Sequence, residues 1–199
     1  MTIAGRNSLP GEAPGDKIVR LVKSYDGISL KHDRDRLGKL VARGVDLPDD
    51  VVELRTNCGL FALGIWAEAG VGSPILDRKY VSGSAITWCV QIGIDRGALV
   101  KYRDGGLRPK RGALLHYKTP GENDDHVEFL LSDVDQHWNA VHGGGGRADN
   151  AIAVTKAPGV VLWNNGRKLF QFWDPDKLGI EVVASGSDIN EAYPEQCSA

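Results

Sequence analysis

The hydrophobic spacing of the chain changes period once, near residue 98, and that change limits the folds open to it. Upstream, four segments carry apolar residues at helical spacing. The first is "DKIVRLVKSYDG" over 16–27, after a Gly/Pro-rich opening. The second is "DRDRLGKLVARG" over 33–44, with Gly44 as its stop signal. The third predicts a helix over 58–69, where Leu60, Phe61, Leu63, Ile65, Trp66 and Ala67 recur on an amphipathic run. The fourth is "SGSAITWCVQIGIDRG", with Ser82 or Ser84 to cap and Gly97 to terminate. Downstream stand "GALLHYK", "HVEFLLSDV", "HWNAVHGG", "NAIAVTKA", "VVLWNNG" and "KLFQFWD", short, rich in branched and aromatic residues, and separated by Gly, Asp, Asn and Pro. Helices followed by strands predict an α+β domain with a mostly antiparallel sheet.

With 199 residues, the chain suits one domain with a sizeable core. The expected division is a flexible lead-in over 1–20, a single domain over 21–180 and a tail over 181–199. A formal net charge of −2 and a pI near 6.2 give no electrostatic case for nucleic acid or an anionic membrane as the main partner. The N-terminus lacks a charged n-region followed by an apolar h-region, and no apolar run is long enough to span a bilayer. The expectation is synthesis in the cytoplasm, with any work outside it needing delivery or lysis. Cys58, Cys89 and Cys197 are three cysteines at wide spacing without a CxxC, which argues against a disulfide framework or a cysteine-rich zinc site.

Cys58 stands between "TN" and the third helical segment. A helix N-terminus stabilises thiolate through its unpaired N–H groups, most strongly if Thr56 or Asn57 is the N-cap. Gly59 would let a substrate backbone approach, and the Cys58 N–H could serve an oxyanion hole. Taken alone, Cys58 reads first as a small buried hydrophobe, and a base elsewhere in the chain turns the reading toward a nucleophile. A nucleophilic cysteine needs a base, and the chain offers five histidines. His126 opens a strand after the polar loop "KTPGENDD", good placement at a cleft. His142 is read as ending the strand "WNAVH", next to the His126 strand, where it could orient the His126 ring or simply terminate the strand. His116 lies within a strand and reads equally as a site residue or a packed core residue, His32 reads as solvated and His137 as a surface turn. Cys89, inside its helical segment with Trp88, reads as core.

"TNCGLFALGIWAEAGV", "LRPKRGALLHY" and "DHVEFLLSDVDQHWNAVHGGGG" occur in the order of a cysteine on a helix, a P-x-x-G-hydrophobic lead into a strand, and a His-Val-x-Phe hairpin. Over roughly 55–155 this resembles the papain-like cysteine hydrolases of bacterial cell walls, the NlpC/P60 and CHAP group, many of them phage-encoded. The resemblance implies a papain-like α+β fold, Cys58 as nucleophile and His126 as base, and it matches "AITWCVQIG" to the second helix. It also implies His142 as the third catalytic residue, with Asn150 and Asp149 behind it. The sequence departs from the pattern at Asn57, where the group has Asp or Trp, and at Gly145, where "GGN" would end in Asn. Glu128 stands where a small residue is usual.

The activity so implied is hydrolysis of peptide or amide bonds of peptidoglycan, at the peptide stem or cross-bridge, through a thioester and without a cofactor. Such a protein would be a phage lysin released through a holin, a virion-associated enzyme, or an antibacterial effector with a cognate immunity protein. Two other classes stay open. One is an inactive papain-like binding or virion protein. The other is a metal-dependent hydrolase using His116, His126 and His142 with Asp124 or Asp125, although no HExxH or similarly compact ligand set supports it.

Overall fold

The computed structural model describes residues 9–29, 31–44, 58–73, 85–103, 106–121, 125–145 and 151–182. Among the described residues, four helices precede the sheet. Helix α1 spans Pro14–Ser24, α2 Arg34–Gly44, α3 Cys58–Ala69 and α4 Ala85–Asp95. The strands follow as β1 Leu99–Lys101, β2 Leu114–Lys118, β3 Asp125–Leu130, β4 Asn139–Ala140, β5 His142–Gly144, β6 Ala153–Val154, β7 Gly159–Val160, β8 Trp163–Asn164 and β9 Arg167–Trp173. The α+β class and the antiparallel pairing match the expectation drawn from the change of period.

Helix α1 starts at Pro14, a residue pre-shaped for a first helical turn. It buries Ile18, Val19, Leu21 and Val22, so the core begins inside the stretch read as a flexible lead-in. Helix α3 differs from the amphipathic segment expected. Every residue from Cys58 to Trp66 is buried, because α1, α2, α4 and β3 all pack on it, and a helix enclosed on all sides has no polar face to show. Two glycines allow that enclosure. A Cβ on Gly64 would lie 2.5 Å from the Leu40 carbonyl oxygen of α2, and one on Gly59 would lie 2.9 Å from both the Ala85 Cβ and the Ile86 nitrogen of α4.

The main sheet has the order β1-β9-β2-β3-β5-β6, with β8 paired to β9, and all its pairs are antiparallel. Alternation along β3 divides its residues between the two faces. Val127 and Phe129 join the core shared with the helices, whereas Leu130 joins a smaller core with Leu115, Tyr117, Leu169 and Phe172. His126 and Glu128 therefore share the second face. The register sets His126 opposite Tyr117 on β2, and Leu130 opposite His142 on β5.

The segment "HWNAVHGG", read as one strand, is two. Strand β4 pairs with β7 in a separate two-stranded sheet, whereas β5 pairs with β3. The chain changes sheets at Val141, so His142 opens a strand instead of ending one. Strands β8 and β9 are joined by Asn165 and Gly166, both at positive φ (47° and 83°), the two-residue Asn-Gly hairpin turn. It fixes Asn164 beside the second face. Among the described residues, no helix is long and apolar enough to cross a membrane.

Candidate active site

Cys58 is the first residue of α3, where the partial positive charge of the helix N-terminus acts most strongly on it. Thr56 and Asn57, the expected caps, lie outside the described residues. Strand β5 pairs with Phe129 and Leu130 of β3, and nearer the start of β3 the Val127 N–H acts on the Cys58 sulfur in favour of thiolate. The Gly59 N–H and the His126 imidazole likewise act on the sulfur in favour of thiolate. Burial pushes the Cys58 thiol up, but His126 and the two backbone donors outweigh it and hold the thiol below its ordinary value.

His126 shows the reciprocal effect. Burial disfavours its cation, yet the bond to Cys58 and the neighbouring Glu128 carboxylate overcome that cost and push its pKa up to about 9. A lowered thiol beside a raised imidazole favours thiolate and imidazolium, the form in which a cysteine attacks a carbonyl. Cys58 is only 4% exposed, whereas the His126 side chain retains 21%.

Glu128 is 4% exposed and lies at the centre of a polar cluster on the second face. Its Oε2 is 3.8 Å from Nε2 of His126, an ion-pair contact too long for a hydrogen bond. Its Oε1 lies 2.9 Å from Nδ1 of His142 and accepts a 2.8 Å hydrogen bond from Nδ2 of Asn164. Burial alone would raise the Glu128 pKa, but His126 and His142 reverse this and bring it to about 2. Burial, followed by the charge of Glu128, pushes the fully buried Tyr117 hydroxyl well above its usual value.

Two glycines make room for this cluster. A Cβ on Gly144 would come within 3.0 Å of the Glu128 Cβ, and one on Gly159 within 3.1 Å of the His142 ring. The glycine run after His142 therefore accommodates a large side chain on the neighbouring strand.

The residues singled out in the sequence separate clearly. Cys58 and His126 come together. His142 meets Glu128, not the His126 ring it was expected to orient, and Glu128, noted in the sequence only as a departure from the family pattern, is the neighbour of both. The alternation of β3 held the signal, since two residues on along a strand is the same face. Asp149, Asn150 and Asp124 lie outside the described residues, as does Cys197. Gly59 receives the start of α4 and not a substrate backbone. Cys89 is fully buried in the core, and its thiol is pushed well above its ordinary value by burial and then by Cys58.

His116 is a core residue. Its Nδ1 meets Nε2 of Gln171 at 2.9 Å, its Nε2 meets Oδ2 of Asp125 at 3.1 Å, and its ring stacks on Trp173. It belongs to the helix-side face of the sheet. Accordingly, no group of three or more His, Cys, Asp or Glu among the described residues is arranged to hold a metal ion. His32 and His137 are exposed.

Comparison with protein-family models, curated proteins and solved structures returned no match for this chain.

Proposed function

We propose that the protein is a papain-like cysteine hydrolase that cleaves peptide or amide bonds of peptidoglycan. The observation that carries this reading is the contact between the Cys58 thiol at a helix N-terminus and the His126 imidazole on an antiparallel strand. A buried nucleophile helix packed on a sheet that carries the base is the arrangement expected of a papain-like fold. The choice of peptidoglycan comes from the likeness of the "TNCGLFALG", "RGALLHY" and "DHVEF" segments to cell-wall hydrolases.

In the proposed reaction the Cys58 thiolate adds to an amide carbonyl, and backbone N–H groups at the start of α3 stabilise the oxyanion. The His126 imidazolium gives its proton to the leaving amine as the C–N bond breaks, which leaves a thioester and a neutral imidazole. His126 then takes a proton from water as the hydroxide adds to the thioester carbonyl. Collapse releases the carboxylic acid and restores the thiolate and imidazolium. Release as a lysin or delivery as an effector would bring the protein to the wall.

The test is incubation of the protein and its Cys58→Ser variant with peptidoglycan sacculi, with mass spectrometry of the soluble fragments. New amine and carboxyl termini from the wild type alone are the expected result. Cleavage that survives in Cys58→Ser overturns the thiol mechanism. A second reading, a papain-like scaffold that binds without turnover, is favoured by the 4% exposure of Cys58. Absence of cleavage by either protein across several wall types selects it.

A further inference from the structure

We propose that Glu128 is the positioning residue that aims His126 at Cys58, and that His142 and Asn164 act one step further out by holding the Glu128 carboxylate. This rests on the reading of Cys58 and His126 as a catalytic pair, and assigns the third role to a residue on the same strand as the base.

The geometry divides the work of the carboxylate between its oxygens. Oε1 is tied by Asn164 at 2.8 Å and faced by His142 at 2.9 Å, whereas Oε2 is turned toward Nε2 of His126 at 3.8 Å. With Nε2 turned to the carboxylate, Nδ1 is the ring nitrogen left for the thiol. The groups around Glu128 come from every neighbouring element: His126 on β3, Tyr117 on β2, His142 on β5 and Asn164 on β8. A buried carboxylate without such partners would take up a proton.

Its placement is built into the backbone. Glu128 follows His126 by two positions on a regular strand, so the two side chains share a face without needing a loop to bring them together. Gly144 leaves the volume that Glu128 occupies, and the Asn165–Gly166 turn presents Asn164 from the other side. A carboxylate does what a neutral amide in this role cannot do: it stabilises imidazolium by charge as well as by orientation. The thiolate and imidazolium pair thus persists to higher pH than orientation alone would allow.

The test needs no substrate. Alkylation of Cys58 by iodoacetamide is followed across pH 4–10 by mass spectrometry of the Cys58 peptide, in the wild type, Glu128→Gln and His142→Ala. Glutamine keeps the size of the side chain and its bond to Asn164 but removes the charge. The wild type is expected to react below the ordinary thiol range. In Glu128→Gln the onset should move up by about one to two pH units, with a 10- to 100-fold slower reaction near pH 6. His142→Ala, which leaves Glu128 bound to Asn164, should move it less.

A wild-type onset with an unmoved profile in Glu128→Gln overturns the role of Glu128 while leaving the catalytic pair intact. So does a larger shift in His142→Ala than in Glu128→Gln. An ordinary thiol profile in the wild type overturns the pair itself. If Glu128→Gln does not fold, NMR titration of the His126 ring in the wild type decides the matter. A cation retained through neutral pH and lost near pH 9 supports the proposal, and a neutral ring at pH 7 overturns it.

Discussion

Cys58 opens α3 and His126 is the second residue of β3, and thiol and imidazole act on each other, each favouring the charged form of its partner. The contact draws on two separate stabilising sources. The helix start and the Val127 and Gly59 N–H groups favour negative charge on sulfur, and Glu128 favours positive charge on the ring. Burial opposes both charges and is overcome only because the opposite charges face each other.

Hydrolysis should follow a bell-shaped dependence on pH. The acid limb reports formation of the thiolate and should lie below the ordinary thiol range, because Cys58 is lowered by His126 and by backbone donors. The alkaline limb reports loss of the His126 proton and should lie near pH 9. Measurement of kcat/KM for release of wall fragments across pH 4–11 checks both. The two limbs belong to a coupled pair and describe it jointly.

Stability should fall toward both extremes of pH, each for an identifiable reason. Glu128 is depressed to about 2, so its contribution is present above its unfolded value of about 4.5 and is lost as the pH drops toward 2. His126 is raised to about 9, so its contribution is complete below about 6.5 and is lost as the pH rises through 9. The acid-side loss should be on the order of 2–3 kcal/mol. Thermal unfolding from pH 2 to 10 measures it, and Glu128→Gln should flatten the acid side.

Gly59→Ala should lower both stability and activity. The new methyl would stand 2.9 Å from the Ala85 Cβ and the Ile86 nitrogen, in the close seam between the starts of α3 and α4. Relieving that overlap costs about 1–3 kcal/mol, more than the gain of roughly 1 kcal/mol at most that alanine brings to a helix. Because the methyl sits next to Cys58, the sulfur moves with it. A lower Tm and slower alkylation of Cys58 are expected together. An unchanged alkylation rate with a lower Tm would separate the helix seam from the site.

Helices α3 and α4 were legible because their apolar residues recur at helical spacing, and glycine ends were in view: Gly70 and Gly97 take positive φ just beyond them. The amphipathic face expected on α3 was not found, since enclosure by four elements depends on the packing of the whole chain. Helix α1 begins two residues before the pattern read for it, because its Pro-led first turn reads as loop composition, and it ends at Ser24. The strand containing His142 was misread because nothing in "WNAVHGG" marks where one sheet hands over to another. At the site, Cys58 and His126 could be nominated from their local contexts. Glu128 was read only as a large residue where a small one is usual, although the alternation of its own strand already set it beside His126.

By itself the sequence determined the change from helical to strand period, the cysteine at the head of an apolar helix and the histidine at the head of a strand. These are local properties, set by spacing, capping and turn residues within a few positions of one another. The tertiary structure decided that the His126 side chain is turned to the thiol, and it alone decided that His142 meets a carboxylate instead of the His126 ring. Those outcomes depend on sheet order, register and the two glycines that open space for Glu128 and His142. Such contacts join residues far apart in the chain, and only close packing of the whole domain brings them within reach.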